Sequence, residues 1–270
     1  MTGTDSYRPE LHGQGFEGAL ERLEAQAALM WPYERKILHQ VAPTEVSTIV
    51  DLGCGTGSFL KRVAQDFPDA HLIGVDLAPG LLKPATDALP QAHFVESDAA
   101  HTGLEEGIAD LVVLRFVLQH MADPSTVLRE AFRLLRPGGR VLVFEVDGGL
   151  WGMCHPLIAQ FEQLQAKIWT AQSQRNGNRM IGRELVGLLQ KQDFSCAALR
   201  LYHYSSDDNG LDAFDPLLDP SQYLDLVGDG VLAPAELASA TAAYRKWKQD
   251  PESWVMLVGF AASGIKQSDD

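Results

Sequence analysis

The sequence predicts an α/β fold in which a mostly parallel sheet is covered by helices on both faces. Short apolar runs, separated by stretches with helical periodicity, occur at residues 49–52, 70–76, 92–95, 110–114 and 140–145. Strands that are apolar throughout are buried on both faces, as they are in parallel sheets. Such sheets bind ligands beyond the carboxyl ends of their strands. This chain carries charged residues at those ends: Asp51, Asp76, Asp98, Arg115 and Glu145.

The first of these strands leads into a glycine-rich loop within residues 49–60 (IVDLGCGTGSFL). Its glycines, which permit a positive φ and a close approach of the main chain to a ligand, are Gly53, Gly55 and Gly57. The dinucleotide fingerprint G-x-G-x-x-G would need its third glycine where this chain has Ser58. The loop therefore favours a nucleoside-bearing ligand other than NAD. Asp51, which precedes the loop, indicates a ligand with positive charge, because it would repel a pyrophosphate.

Residues 45–146 resemble the class I S-adenosylmethionine-dependent methyltransferases in four pieces that follow the order of that family. These pieces are residues 51–57 (DLGCGTG), Asp76, Asp98-Ala99 and residues 135–139 (LRPGG). The joint spacing of the four pieces is more specific than any one of them. The resemblance implies a Rossmann-like fold with a seven-stranded, mostly parallel sheet, S-adenosylmethionine as the cofactor and methyl transfer as the activity.

The resemblance also implies the cofactor-binding positions of this chain: Asp51, Gly53, Cys54, Gly55, Gly57, Asp76, Leu77, Asp98, Ala99 and Arg115. Asp51 is expected to contact the methionyl ammonium, with stabilisation of the turn as its alternative role. Asp76 is expected to accept hydrogen bonds from both ribose hydroxyls, because a carboxylate offers two oxygens to two donors. Leu77, which follows it, is expected to pack on the face of the adenine.

Two of these positions allow a structural role as well as a ligand-binding one. By the resemblance, Asp98 accepts a hydrogen bond from the adenine amino group and the N–H of Ala99 donates to the ring, but Asp98 could instead cap a helix. Arg115 follows the fourth strand, where the family places the methionine end of the cofactor. Its side chain could contact a carboxylate or its carbonyl could accept the ammonium, and a structural ion pair is the alternative.

The acceptor side of the site is predicted from residues near the same strand ends. Residues 114–121 (LRFVLQHM) resemble the branch of the family that acts on small molecules, and they lack the Asn-Pro-Pro-Tyr type of signature. His120 is the predicted general base, because histidine titrates near neutrality; a hydrogen bond near the cofactor or packing at a helix start is the alternative. Trp31, Tyr33 and Trp151 are predicted to bind the substrate, although aromatic residues at helical spacing are more often part of a core.

Composition and charge exclude several classes of function. The 270 residues carry a net charge of −14, so no nucleic-acid partner is expected, because phosphate binding needs a basic face. The three cysteines show neither a metal spacing nor a disulfide framework, so no metal is predicted and a cytoplasmic location is expected. No apolar run approaches about 18 residues, so no membrane partner is expected. A small-molecule acceptor is the expected partner, and a homodimer stays open.

We expect two regions along the chain. Residues 1–44 are predicted to form an N-terminal helical lid, with helical periodicity over 16–39 that Pro32 ends or divides into two helices. Residues 45–270 are predicted to form the methyltransferase domain. Insertions that would build the acceptor pocket lie near 148–190 and 202–246. The last two strands are expected at 193–201 and 253–261.

The predicted function is methyl transfer from S-adenosylmethionine to O or N of a small molecule, with secondary metabolism as one setting. The acidic composition slightly favours a neutral or cationic acceptor, although overall charge is a poor guide to a local pocket. The alternative is a protein of this fold that catalyses a non-transfer step, such as cyclisation, or serves as a binding subunit. An NAD-dependent oxidoreductase is disfavoured by Ser58 and by the lack of a Tyr-x-x-x-Lys pair.

Overall fold

The computed structural model describes residues 15–150 and 152–267 and confirms the α/β fold class. Helices cover both faces of a single mixed sheet. Within the described residues the sheet has eight strands: β1 (Thr48–Leu52), β2 (His71–Asp76), β3 (His93–Glu96), β4 (Ala109–Arg115), β5 (Leu135–Glu145), β6 (Gly152–His155), β7 (Ser195–Ser205) and β8 (Trp254–Ile265).

The strands follow the order β3-β2-β1-β4-β5-β8-β6, and β7 pairs with the other edge of β8. Strands β1 to β5 are parallel to one another, whereas β8 runs antiparallel to β5, β6 and β7. The described sheet therefore has one strand more than the seven that the sequence predicted. The additional strand, β6, has the sequence GMCH, which contains no branched or aromatic apolar residue that would indicate a strand.

The helices of the described residues are α1 (Gly15–Val41), α2 (Ser58–Asp66), α3 (Pro79–Ala88), α4 (Pro124–Leu134), α5 (Ala159–Gln174), α6 (Leu185–Lys191), α7 (Ser206–Asn209), α8 (Asp215–Leu218), α9 (Leu224–Gly228) and α10 (Pro234–Lys248). Helix α1 continues through Pro32, so the prediction that Pro32 ends or divides this helix is wrong. Pro32 is exposed, so water can solvate the carbonyl group that the proline leaves unpaired. Within the described segments, no helix has both the length and the apolar composition that a membrane span needs.

The central strands are buried on both faces, as their apolar sequences indicate. Ile49 of β1 and Leu111 of β4 belong to the core that also contains residues of α1 and α2. Their neighbours Val50 and Val112 belong to the opposite core, with residues of α4 and α6. Because successive side chains of a strand point to opposite faces, these two strands bind the two helical layers together.

A third, smaller core joins the two predicted insertions. It contains Leu164 of α5, Leu226 of α9 and Leu237 of α10, and Tyr223 packs against its edge. The three helices therefore form a layer of their own. The role of the insertions in an acceptor pocket stays a prediction.

Candidate active site

The glycine-rich loop between β1 and α2 adopts a backbone conformation that needs its glycines. Gly53, Gly55 and Gly57 have φ angles of 76°, 55° and 68°, which lie in the left-handed region that favours glycine. A Cβ on Gly53 would lie 2.5 Å from Cγ2 of Val117, whereas no atom lies within 4 Å of the Cβ position of Gly55. The loop is thus closely packed at Gly53 and open at Gly55.

Asp76 at the end of β2 holds this loop in place. One carboxylate oxygen accepts the N–H of Gly55 at 2.8 Å, and the other accepts the N–H of Ala78 at 2.9 Å. Burial raises the pKa of Asp76, and these backbone donors act against that effect. Each carboxylate oxygen has a second lone pair, so Asp76 can still accept hydrogen bonds from a ligand. The role of Asp76 toward ribose stays a prediction.

Asp51 lies directly before the loop, on the same face of β1 as Ile49. Its side chain is 1% exposed, and among the described residues its Oδ1 has no hydrogen-bond partner. Burial raises the pKa of Asp51 to about 7, although the charge of Arg115 acts in the opposite direction. An unpartnered, buried carboxylate oxygen is costly. A cationic donor bound beside the loop would remove that cost.

The predicted adenine-binding residues lie at the rim of the sheet. Leu77 is 63% exposed, and Asp98 is exposed beside the partly buried Ala99. Asp98 accepts the N–H of Ala100 at 2.8 Å within a turn, and the chain then runs irregularly to β4. The alternative that Asp98 caps a helix is therefore wrong. A flat apolar ligand would remove the exposed surface of Leu77 from water, which is favourable.

Glu34 of α1 is the centre of a buried polar cluster that the sequence did not reveal. Its carboxylate accepts hydrogen bonds from Nε of Arg115 at 2.9 Å and from the hydroxyl of Tyr202 at 3.2 Å. Burial alone would lower the pKa of Arg115, but the charge of Glu34 raises it. The Arg115 side chain thus forms the structural ion pair that was the alternative to cofactor binding. The one signal in the sequence was the position of Glu34 between Met30 and Leu38 on the apolar stripe.

A second polar cluster lies beyond the ends of β4 and β5. Gln172 of α5 donates from Nε2 to the carbonyl of Gln119 at 3.0 Å, and its Oε1 accepts Nε–H of Arg179 at 2.6 Å. Because a guanidinium only donates, this contact fixes the orientation of the amide. Nε2 of Gln172 therefore faces Nδ1 of His120, at 3.4 Å. In this arrangement Nδ1 accepts, and the proton of neutral His120 lies on Nε2.

His120 ends a short 3₁₀ turn, Leu118–His120, that follows β4. The structure thus brings it to the carboxyl end of the sheet, beside the segment after β5. With Nδ1 directed at Gln172, Nε2 is the ring nitrogen left to face an acceptor, and it can act as a base only in the other tautomer, which carries the proton on Nδ1. The general-base role of His120 stays a prediction.

Two acids at the end of β5 have different environments. Glu145 is fully buried; its Oε1 accepts the N–H of Gln119 at 3.2 Å, while Oε2 has no partner in the described part of the chain. Burial raises the pKa of Glu145 to about 8. Asp147 is also buried, but the hydrogen bonds from Arg183 lower its pKa against the effect of burial. Asp147 is therefore charged and structural, whereas Glu145 is mostly neutral at pH 7.

The predicted substrate-binding aromatic residues of α1 make packing contacts. Trp31 packs edge-on against Phe59 of α2, with ring centroids 5.6 Å apart. Tyr33 packs against Tyr204 of β7 at 6.0 Å. These contacts hold α1 against its neighbours, and the role of both residues toward a substrate stays a prediction. Trp151 lies outside the described residues.

The residues around the loop fit S-adenosylmethionine. The unpartnered Oδ1 of Asp51 suits an ammonium, and the open position at Gly55 leaves room for a ligand. Burial raises the pKa of the Cys54 thiol, so it offers no thiolate near the loop. Within residues 15–150 and 152–267 there is no group of three His, Cys, Asp or Glu side chains placed to hold a metal ion.

The parallel strand order, the glycine loop and the acids at the strand ends together define a class of protein. Residues 50–143 match the family model Methyltransf_11, described as a methyltransferase domain. This segment belongs to the class I S-adenosylmethionine-dependent methyltransferases, which confirms the family that the sequence predicted. The predicted cofactor, S-adenosylmethionine, is confirmed at the level of that family.

One relative and two solved structures illustrate this class. The trans-aconitate 2-methyltransferase of Methylobacterium radiotolerans is 40% identical over 109 residues, which cover 40% of this chain and 41% of that protein. The chain thus spans about two fifths of the length of this relative. The Haemonchus contortus phosphoethanolamine N-methyltransferase 2 superposes with a TM-score of 0.56 at 18% identity, over 90% of this chain and 56% of that one. The [4+2]-cyclase SpnF also gives a TM-score of 0.56 at 18% identity, over 86% and 80% of the two chains. Both of these similarities show the fold alone.

The buried Glu145 predicts a specific dependence of stability on pH. In the folded protein Glu145 keeps its proton up to pH about 8, whereas in the unfolded chain it has the ordinary pKa of 4.5. Between these two pH values, unfolding therefore releases a proton. The free energy of unfolding falls as pH rises through this range. Asp51 also lowers the free energy of unfolding as pH rises, but only up to pH about 7, where its own carboxyl ionises in the folded protein. Between pH 7 and pH 8, the free energy of unfolding should therefore fall by roughly 1 kcal/mol more in the wild type than in Glu145→Gln.

Urea denaturation at the two pH values measures this difference. The matched control is Glu106→Gln, which replaces an exposed acid and should keep the wild-type slope. A wild-type slope in Glu145→Gln would show that Glu145 is not the group that titrates.

Proposed function

We propose that this protein is an S-adenosylmethionine-dependent methyltransferase that methylates O or N of a small molecule. The observation that carries the proposal is the buried, unpartnered Oδ1 of Asp51 beside a glycine loop that Asp76 holds in place. A pyrophosphate would be repelled by Asp51, whereas an ammonium group would be stabilised there. Methyl transfer by the relative named trans-aconitate 2-methyltransferase supports the same activity.

The chemistry divides between the cofactor and the chain. S-adenosylmethionine, when bound, supplies an electrophilic methyl group on a sulfonium. Asp51 would hold the ammonium, Asp76 the ribose hydroxyls and Leu77 the adenine face. The protein must also hold the acceptor in line and within about 3–3.5 Å of the reacting carbon. His120, at the ends of β4 and β5, is the group we expect to take a proton from a hydroxyl or ammonium acceptor, a role that requires its proton to move from Nε2 to Nδ1.

We further propose that the N-terminal region to residue 44 acts as a lid and that the insertions near 148–190 and 202–246 bind the acceptor. The contact of Glu34 with Arg115 supports the lid, because it holds α1 against the carboxyl end of β4. A covered site excludes water, which strengthens the electrostatic contacts within it. A cytoplasmic location, a setting in secondary metabolism and a homodimer stay predictions.

A non-transfer step is the second candidate function, because the [4+2]-cyclase SpnF shares this fold. The two functions differ in whether S-adenosylhomocysteine is produced. Incubation of the protein with S-adenosylmethionine and a panel of small acids, phenols and amines, including trans-aconitate, should yield S-adenosylhomocysteine with at least one acceptor. Tight cofactor binding with no such product across the panel would favour the cyclase or a binding subunit.

The titration of Asp51 predicts how cofactor affinity depends on pH. Its carboxyl must ionise to receive an ammonium, and its pKa of about 7 means that this form is lost as pH falls. Affinity for S-adenosylhomocysteine, measured by isothermal titration calorimetry, should drop about fivefold from pH 7 to pH 6. Asp51→Asn should bind about tenfold more weakly at pH 7 and lose most of the pH dependence. The control Asp87→Asn, which changes an exposed surface ion pair, should bind S-adenosylhomocysteine like the wild type. A pH dependence retained in Asp51→Asn would show that Asp51 is not the group whose ionisation controls binding.

Replacement of His120 tests its catalytic role. His120→Ala should lower kcat by about 10²-fold, because a positioned base contributes this much to proton transfer. The affinity for S-adenosylhomocysteine should not change. His71→Ala, at an exposed position on the outer end of β2, is the control. An unchanged kcat, or an unchanged acidic limb of the pH–rate profile, would remove the assignment.

A further inference from the structure

Arg179 lies next to the cluster that contains His120, and the charge of Arg22 acts on it. Arg22 belongs to the first half of α1, and Arg179 follows α5. Burial lowers the pKa of Arg179, and the neighbouring charge of Arg22 lowers it further. Burial raises the pKa of Tyr223, and the charges of Arg179 and Arg22 both act against this. The two guanidinium groups and the phenol of Tyr223 therefore share one partly buried region.

Neither guanidinium is neutralised by an acid in the part of the chain that the structure describes. The ion pairs of that part all involve other side chains. The Nε of Arg22 is buried without a hydrogen-bond partner, and Arg179 uses its Nε to bind Gln172. Two cations that repel each other and have no ion-pair partner cost free energy, and Arg22 also loses the hydration of its buried Nε. A bound anion would remove that cost.

The backbone fixes Arg179 between the ends of β4 and β5. The N–H of Gly148, after β5, donates to the carbonyl of Arg179 at 2.7 Å. The N–H of Asn178 donates to the carbonyl of Gln119, after β4, at 2.8 Å. Gln172 then holds Nε of Arg179 with the same amide that contacts His120. Arg179 is thus a positioned cation at the proposed acceptor site and not a surface side chain.

The acids that act on this region do not cancel its charge. Glu145 acts on Arg179, but burial raises the pKa of Glu145 to about 8 and keeps it mostly neutral at pH 7. Asp225 acts on Tyr223, but its Oδ1 is buried without a hydrogen-bond partner among the described residues, and this one acid faces two arginines. At neutral pH the region therefore keeps a net positive charge.

We infer that Arg22 and Arg179 bind an oxyanion of the methyl acceptor, a carboxylate or a phosphate, with the hydroxyl of Tyr223 as a further donor. This inference rests on the proposed methyltransferase function. Guanidinium groups match both anions, because their N–H donors form paired hydrogen bonds with two oxygens. The acceptor is then an anion, in contrast to the neutral or cationic acceptor that the overall composition favoured.

Binding of simple anions tests the inference without knowledge of the natural acceptor. Succinate, inorganic phosphate and neutral succinamide are titrated at constant ionic strength into protein saturated with S-adenosylhomocysteine. Succinate or phosphate should bind to the wild type, and the stronger of the two identifies the anion; succinamide should not bind. Arg22→Gln and Arg179→Gln should each weaken this binding about tenfold or more, Arg179→Lys should weaken it less, and the exposed Arg129→Gln should leave it unchanged.

Two further measurements separate this role from other roles of the arginines. Affinity for S-adenosylhomocysteine should stay within twofold of the wild type in both glutamine variants; a parallel loss would assign the arginines to the cofactor carboxylate and overturn the inference. The thermal midpoint of the ligand-free variants should equal or exceed that of the wild type, because the substitution removes an uncompensated charge. A lower midpoint with unchanged anion binding would show a structural role instead.

The outcomes for the two proposals are distinct. If succinate or phosphate binds through Arg22 and Arg179 but no acceptor yields S-adenosylhomocysteine, the anion site stands and the proposed function fails. If an uncharged acceptor is methylated and Arg179→Gln leaves its KM unchanged, the proposed function stands and the anion site is overturned.

Discussion

The buried ion pair between Glu34 and Arg115 is the interaction on which the site depends most. It joins α1 to the carboxyl end of β4, and Tyr202 of β7 donates to the same carboxylate. Loss of either partner would leave a buried charge uncompensated, which typically costs about 3–5 kcal/mol. The pair also sets the charge near Asp51, because Arg115 acts to lower the pKa of that carboxyl. The position of α1 and the electrostatics of the glycine loop are therefore linked.

The sequence predicted the features that local patterns encode. Continuous apolar runs revealed the parallel strands, and the alternating glycines together with Asp51 and Asp76 revealed the loop, because their order and spacing along the chain match those of a known family. Glu34, Gln172 and Arg179 were not predicted. Their roles come from contacts with residues distant in the chain, such as the 81 positions between Glu34 and Arg115, and no spacing rule reports such contacts.

Net charge does not describe the charge next to the cluster that contains His120. The chain has 36 acidic and 22 basic side chains, yet Arg22 and Arg179 lie together without acidic partners among the described residues. Exposed charges are screened over about 8–10 Å at physiological ionic strength. Acids spread over the surface therefore do not cancel two cations held in a region of lower dielectric constant. If the proposed acceptor site is correct, local burial and not composition sets the charge that the acceptor meets.

Helix α1 carries both Glu34 and Arg22, and this has a geometric consequence. The two residues are twelve positions apart in one uninterrupted helix, which corresponds to a rise of about 18 Å. One end is fixed at the carboxyl end of β4 by the buried ion pair, and the other carries the cation that acts on Tyr223. The hydrogen bonds of the helix set the distance between them. Under the proposed function, the length of α1 therefore sets how far the anion of the acceptor lies from the cofactor.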